Sequence, residues 1–259
     1  MATEAAAQST DAELQAAAWK LDPLVDGHGA DGARAQLAQA LERARTFAQD
    51  YTGKLVDLDS EELAAAMNEL GEIQELVGRA GTYAGLCFSV DTADPAAGAL
   101  MQEVQERGTE IETTLLFFEL EWAALADERV DRLLSDERLA FCAHYLRTAR
   151  RYREHLLTEP EEKILAEKAV TGSSAWSRLF DELTSAIEVS LPDEKVALDV
   201  ALSRLALPDR ELRRSTAEAV TTALAPGLRT RAYLFNTLLA DKAIDDRLRR
   251  YPSWLASRN

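Results

Sequence analysis

A long stripe of apolar residues with the spacing of an α-helix is the feature that most constrains how this chain can fold. The stripe follows Asp94 and Pro95, a cap residue before a proline at the first helical position. Its members recur at intervals of seven, four or three residues and are Val104, Ile111, Leu115, Phe118, Trp122 and Leu125. A face of this length predicts one helix of about seven turns or more. Gly108 lies on the same face, where it predicts the close approach of a neighbouring helix.

The composition extends this preference for helix to the whole chain. Among 259 residues, 45 are Ala and 38 are Leu, the apolar residues that cost least in a helix. Periodic faces and caps predict further helices over about 31–51, from Ser60 onwards, and over 135–156, 159–171, 174–186, 209–225 and 228–239. The segment 19–27 is predicted to be an irregular lead-in that Trp19 anchors.

The apolar period changes from helical to alternating at one place. Ile187, Val189 and Leu191 alternate with polar residues, and a Pro-Asp turn separates them from Val196 and Leu198. This pattern predicts a β-hairpin at 187–198. The expected fold is therefore all-α, with long antiparallel helices in a multi-helix array and one small β-hairpin near 187–198.

Two of the predicted helices carry expectations about burial. In the helix over 174–186, the residues predicted to face inward are Trp176, Leu179, Phe180 and Leu183. Phe235, Leu238 and Leu239 lie on two sides of another helix, which is more apolar circumference than a surface helix needs for one partner. We expect part of that face to be uncovered, and the alternative is that both sides are buried within this chain.

The charge and the cysteines limit the class of protein. The formal net charge is −16, and a chain so acidic is repelled by phosphate backbones and anionic lipid surfaces, so neither nucleic acid nor a membrane is an expected partner. Cys87 and Cys142 sit among apolar neighbours as small hydrophobes, which excludes a disulfide framework. The sequence shows no leader segment and no long uncharged apolar run. We expect a soluble cytoplasmic protein.

No motif for metal binding, nucleophilic catalysis or phosphate binding is present in the sequence. Of the three histidines, His28 is isolated, and His144 and His155 lie eleven residues apart, which is about 16 Å along a helix and too far for one metal ion. There is no HExxH, no GxSxG and no Gly-rich phosphate loop. The residues therefore offer no catalytic, cofactor-binding or metal-binding candidate.

Two charged clusters are expected to be ordinary helix surface. The acidic cluster consists of Glu159, Glu161, Glu162 and Glu167, with Lys163 placed to pair with Glu159 and Glu167. The basic cluster consists of Arg147, Arg150, Arg151 and Arg153. A solvated helix face is the favoured interpretation of the basic cluster, with a dedicated anion site as the alternative.

Several stretches together resemble the oligoendopeptidase F family of thimet-like zinc metallopeptidases, in its actinobacterial type. They are WKLDPL (19–24), YAGLCFSVDT (83–92), FFELEW (117–122), LTEPEEK (157–163), EKAVTG (167–172), WSRLFDE (176–182), FNTLLADK (235–242) and SRN (257–259). The resemblance implies a helical peptidase that closes two halves around a deep cavity and cuts short peptides with zinc held by HExxH and a further glutamate. That motif would lie beyond residue 259, so no residue here inherits a catalytic or zinc-binding role.

The resemblance divides the chain into two parts. Residues 1–171 correspond to the N-terminal helical domain, and residues 172–259 to the start of the catalytic half, ending before the zinc-binding motif. On this hypothesis the chain forms a wall of the peptide cavity of a zinc-dependent enzyme. It requires a missing C-terminal catalytic half and is inactive alone. The alternative is a non-catalytic helical binding or scaffold protein.

Overall fold

Three long helices build the first part of the molecule. The computed structural model describes residues 19–258. Helix α1 spans Gly29–Tyr51, α2 spans Ser60–Val90 and α3 spans Pro95–Ala124, and each of the three packs against the other two. Because the connections between them are short, consecutive helices run antiparallel. The expected all-α array is confirmed.

Shorter elements follow these three helices. The remaining α-helices are α4 (Asp127–Leu134), α5 (Ala143–Ala149), α6 (Glu159–Thr171), α7 (Ser173–Ser185), α8 (Leu198–Ser203), α9 (Arg210–Leu224) and α10 (Leu228–Leu248). Four 3₁₀ turns lie at Asp22–Val25, Glu137–Leu139, Arg150–His155 and Arg204–Ala206. No helix among residues 19–258 combines the length and the apolar character needed to cross a bilayer.

Helix α3 forms where its apolar stripe predicts it. The carboxylate of Asp94 accepts a hydrogen bond from the Ala96 N–H at 2.9 Å and caps the helix. All six residues of the stripe are buried in the main core. The prediction for Gly108 is wrong, because a side-chain carbon added there would meet nothing within 4 Å.

The cap of α2 lies one residue before the predicted position. The Asp59 carboxylate, and not Ser60, accepts hydrogen bonds from the N–H groups of Glu61 and Glu62 at 2.9 Å. Glu62 completes a capping box by accepting the Asp59 N–H. A carboxylate at this position also complements the positive end of the helix dipole, which favours aspartate over serine.

The helix predicted over 135–156 is wrong as a continuous element. Ser135 ends α4, a 3₁₀ turn and α5 follow, and a second 3₁₀ turn begins at Arg150. The buried guanidinium of Arg150 donates to the carbonyl oxygens of Trp122 and Leu125 at 2.6 and 2.7 Å. It therefore adds donors to carbonyls at the end of α3, where the Trp122 carbonyl oxygen also accepts the Leu125 N–H at 3.4 Å. Arg150 is not part of a solvated face, in contrast to the expectation for the basic cluster.

The lead-in segment is ordered by residues other than Trp19. Trp19 is 84% exposed, so the prediction that it anchors the segment is wrong. Val25 is fully buried, and the carbonyl oxygen of Leu24 accepts hydrogen bonds from Gln36 and Arg79. A side chain that is isolated in sequence can bury itself only if the fold supplies a neighbour, and none covers Trp19 among the described residues.

The predicted hairpin is confirmed. Strand β1 (Glu188–Ser190) pairs antiparallel with β2 (Lys195–Ala197), with Val189 opposite Val196. Val189 packs with Ala201 and Val220 in a small second core. Within residues 19–258, the main core draws its buried residues from 25–146 and is separate from this second core. The division at 171 and 172 stays a prediction.

Helices α7 and α10 carry an exposed apolar surface. Leu179, Phe180 and Leu183 of α7 are at least 36% exposed, so the prediction that they face inward is wrong, whereas Trp176 is half-buried. In α10, Phe235 is 62% exposed, which confirms the expected uncovered face. The apolar period was sufficient to form these helices, but the other described residues bury only part of their apolar faces.

This uncovered surface predicts weak protection in the C-terminal region. We expect amide hydrogens of 228–248 to exchange through local opening at lower free energy than those of 100–125, because few buried side chains hold α10 in place. Hydrogen exchange with mass spectrometry on the purified chain measures both segments together. Equal protection of the two segments would contradict the prediction and would indicate a self-sufficient domain.

A candidate binding cleft between three helices

A cleft of about 690 Å³ lies between α3, α6 and α10. A smaller recess of about 370 Å³ shares Glu119, Leu156, Lys242 and Arg249 with it. Apolar side chains from all three helices line the main cleft and include Leu116, Leu165, Ala166, Ala169, Leu238, Ile244 and Leu248. A concave site of this size, with an apolar lining and a few charged groups, is typical of ligand-binding sites.

A buried ion pair joins two walls of the cleft. Arg249, just beyond the last turn of α10, donates from both terminal guanidinium nitrogens to Glu162 of α6, at 2.6 and 2.8 Å. Burial acts to raise the pKa of Glu162, but hydrogen bonds from Arg249 and from the Leu157 N–H outweigh it and leave the pKa lowered. Glu162 is therefore held ionised and fixes the distance between α6 and α10.

Lys242 ties the segment after α10 to that helix. Its ammonium group donates to Asp246 at 2.5 and 2.6 Å, to the Ser257 hydroxyl at 2.6 Å and to the Trp254 carbonyl oxygen at 3.3 Å. All of its donors thus have acceptors within the chain. Lys242 lines the cleft, but its charge is already compensated.

His155 has a structural role at the edge of the cleft. Its ring stacks on that of Tyr251 with centroids 3.9 Å apart, and its Nδ1 lies 2.8 Å from the Arg249 carbonyl oxygen. The carbonyl oxygen accepts the hydrogen bond, so Nδ1 carries the proton. His28 and His144 are exposed, just before α1 and on α5.

Three carboxylates of the cleft have no partner of opposite charge. Glu112, Glu119 and Asp241 make no hydrogen bond or ion pair with any residue that the structure describes. Burial in the cleft raises the pKa of Glu119, and the negative charges of Glu162 and Glu112 raise it further against the opposing effect of Arg249. The environment of Glu119 is therefore electrically negative.

The residues present do not fit a zinc ion. Among residues 19–258, no group of three or more His, Cys, Asp or Glu side chains is arranged to hold a metal. Catalytic zinc requires three protein ligands with an open fourth position. The chemistry that the cleft offers is binding and orientation of a ligand through apolar contact and charge.

Sequence patterns identified some residues of this region and missed others. Of the acidic cluster, Glu159 pairs with Lys163 at 2.6 Å as expected, but Glu162 is buried against Arg249 and is not surface. No local signal could reveal that pair, since its partners are 87 residues apart. The Glu161 carboxylate accepts the Thr158 N–H at 3.0 Å and forms part of a capping box at the start of α6.

The fold is similar to those of two solved peptidase structures. The solved oligoendopeptidase-F of Enterococcus faecium superposes with a TM-score of 0.74 at 20% identity, covering 88% of this chain and 46% of that one. A putative peptidase of Chlamydophila abortus superposes with a TM-score of 0.51 at 22% identity, covering 92% of this chain and 41% of that one.

Sequence comparisons point to the same family. The family model described as Oligopeptidase F matches residues 121–188. Oligopeptidase PepF of Bacillus subtilis (strain 168) is 24% identical over 212 residues, which are 78% of this chain and 31% of that protein. The chain is similar to oligoendopeptidase F over part of that protein's length, and the resemblance predicted from its motifs is confirmed. It spans less than half the length of each of these relatives.

Proposed function

We propose that this chain is the N-terminal, cavity-walling part of a zinc-dependent oligoendopeptidase that hydrolyses short peptides in the cytoplasm. The observation that carries the proposal is that α6, one wall of the cleft, lies within the segment that matches the Oligopeptidase F model. Helices that enclose a cavity restrict access to extended, short chains, since a folded protein cannot enter. The role of this part is to select and orient the peptide.

The proposal assigns zinc and catalysis to a C-terminal half outside this sequence. The sequence has no HExxH, and the described residues hold no cluster that fits zinc. The exposed apolar side chains of α7 and α10 support a contact with that missing half. Phe180, Phe235 and Leu239 are the residues that we expect it to cover.

Zinc analysis and a peptide assay on the purified chain test the inactivity of this part. We expect much less than one zinc ion per chain after dialysis and no turnover of an internally quenched peptide of about ten residues. The reason is that no three ligands among residues 19–258 are arranged around one ion. A reading of the encoding DNA past Asn259 supplies the positive control. If it encodes an in-frame HExxH, the longer chain should bind zinc and cleave the same peptide.

Two results would contradict the proposal. One is turnover by the 259-residue chain that a chelator abolishes. The other is a longer chain with HExxH that binds zinc but leaves peptides of all lengths intact.

A non-catalytic helical binding or scaffold protein is the alternative function. The main core favours it, because the buried residues that the structure describes in this core come from 25–146 and none of them from α6 to α10. The alternative predicts no downstream zinc motif, and equal exchange protection of α3 and α10.

A further inference from the structure

The charges that line the cleft are unbalanced. Five carboxylates face it from α3, α6 and α10, against three cations: the carboxylates belong to Glu112, Glu119, Glu162, Asp241 and Asp245, and the cations to Lys168, Lys242 and Arg249. Two of the three cations are already neutralised within the protein, Arg249 by Glu162 and Asp245, and Lys242 by Asp246. The negative charge left over belongs mainly to the carboxylates without partners.

The carboxylates without partners come from two of the three helices that line the cleft. Glu112 and Glu119 are seven residues apart on α3, or about 10 Å along its axis, and so lie on one face. Asp241 lies on α10. The same cleft is lined by the apolar residues Leu116, Leu165 and Leu238. The lining therefore combines apolar side chains with anionic groups from two helices.

We propose that the cleft binds peptide segments that carry lysine or arginine next to large apolar residues. The long alkyl stems of lysine and arginine pack on apolar surface while their charged ends reach carboxylates, and this cleft provides both. The volume of about 690 Å³ accommodates a few side chains and not a folded domain. The inference rests on the proposed function only in taking the occupant to be a peptide.

The surrounding charges support a cationic occupant over an anionic one. Burial raises the pKa of Glu119, and the nearby carboxylates of Glu162 and Glu112 raise it further, so a positive group placed there relieves repulsion between carboxylates. Lys168 of α6 is the one cation of the lining that pairs with no described residue, and it opposes such a ligand. An anionic peptide would meet the three free carboxylates and gain only Lys168.

Binding of three matched peptides to the purified full chain tests the inference. Each peptide has nine residues, blocked ends and a fluorescent label, with alternating leucine and phenylalanine around two lysines, two glutamines or two glutamates. By fluorescence anisotropy we expect the lysine peptide to bind at least about tenfold more tightly than the glutamate peptide, with glutamine between them. Raising the salt from about 0.05 to 0.5 M should reduce this difference.

Conservative variants locate the binding. Glu119→Gln together with Glu112→Gln should weaken binding of the lysine peptide by about tenfold. Lys168→Gln should strengthen it by about twofold. Glu75→Gln is the matched control, because Glu75 is an exposed glutamate of α2 outside the cleft. It should leave binding unchanged.

Several outcomes would overturn the inference. One is equal affinity for the three peptides. Another is no binding of the lysine peptide at concentrations up to about 1 mM, where even weak specific binding would be detected. The third is an equal effect of the control variant and the cleft variant on binding. None of these outcomes contradicts the proposed function, because zinc content and turnover of the longer chain are measured separately. Conversely, a longer chain without zinc or turnover would refute the proposed function while the peptide preference of the cleft remained measurable.

Discussion

Replacement of Trp122 by alanine is expected to lower the free energy of unfolding by about 4 kcal/mol. Trp122 is 1% exposed in the main core, and its indole N–H donates to the Leu146 carbonyl oxygen at 2.8 Å. The substitution removes one of the largest buried side chains and leaves a buried carbonyl oxygen without its donor. Urea unfolding followed by circular dichroism at 222 nm measures the change.

The chain offers a control of the same residue type. Trp19 is 84% exposed, so Trp19→Ala should change the free energy of unfolding by less than about 0.5 kcal/mol. The loss of unfolding free energy in Trp122→Phe should lie between those of Trp19→Ala and Trp122→Ala, because an aromatic ring is kept while the indole N–H donor is lost. Equal effects of Trp19→Ala and Trp122→Ala would show that the core lies elsewhere.

Breaking the Glu162–Arg249 pair is expected to lower the free energy of unfolding by about 3 kcal/mol. Arg249→Met leaves the carboxylate of Glu162 buried without its two guanidinium hydrogen bonds of 2.6 and 2.8 Å. Lys163→Met breaks the exposed pair with Glu159 on the same helix. It should lower the free energy of unfolding by less than about 0.5 kcal/mol. Urea unfolding at pH 7 compares the two variants, and equal losses would contradict a special role for the buried pair.

The same pair predicts a dependence of stability on pH. Because the pKa of Glu162 is lowered by folding, its contribution is fully present above its ordinary value of 4.5 and is lost as the pH falls through the folded value. The stability difference between the native chain and Arg249→Met should therefore be largest near pH 7 and should shrink as the pH falls from about 5 towards about 3. A difference that stays constant over this range would mean that Glu162 is not the group left unpaired.

Sequence patterns located most elements of the fold because the information for them is local. The stripe from Val104 to Leu125, the proline after Asp94 and the alternation around Val189 each lie within one element. Helix and strand periods, and the residues that cap them, depend on neighbours up to four positions away. The same is true of the family motifs, which can be identified as strings of residues.

Locality also explains the errors. The helix predicted over 135–156 is interrupted in a region where Arg150 and Leu146 bond to the end of α3, contacts that span 24 to 28 residues. Leu179 and Phe180 share an apolar face that predicts burial, but burial requires a second surface. Period alone determines which side of a helix is apolar and not whether anything covers it.

The sequence by itself determined the helical class, the hairpin, most element boundaries and the resemblance to oligoendopeptidase F. Only the tertiary structure decided that α3, α6 and α10 enclose a cleft, that Glu162 and Arg249 meet there, and that no residue among 19–258 pairs with Glu119. The physical reason is that a charge is neutralised or left free by what lies within a few ångströms of it. Distance along the chain does not determine that separation, because it depends on how the helices pack.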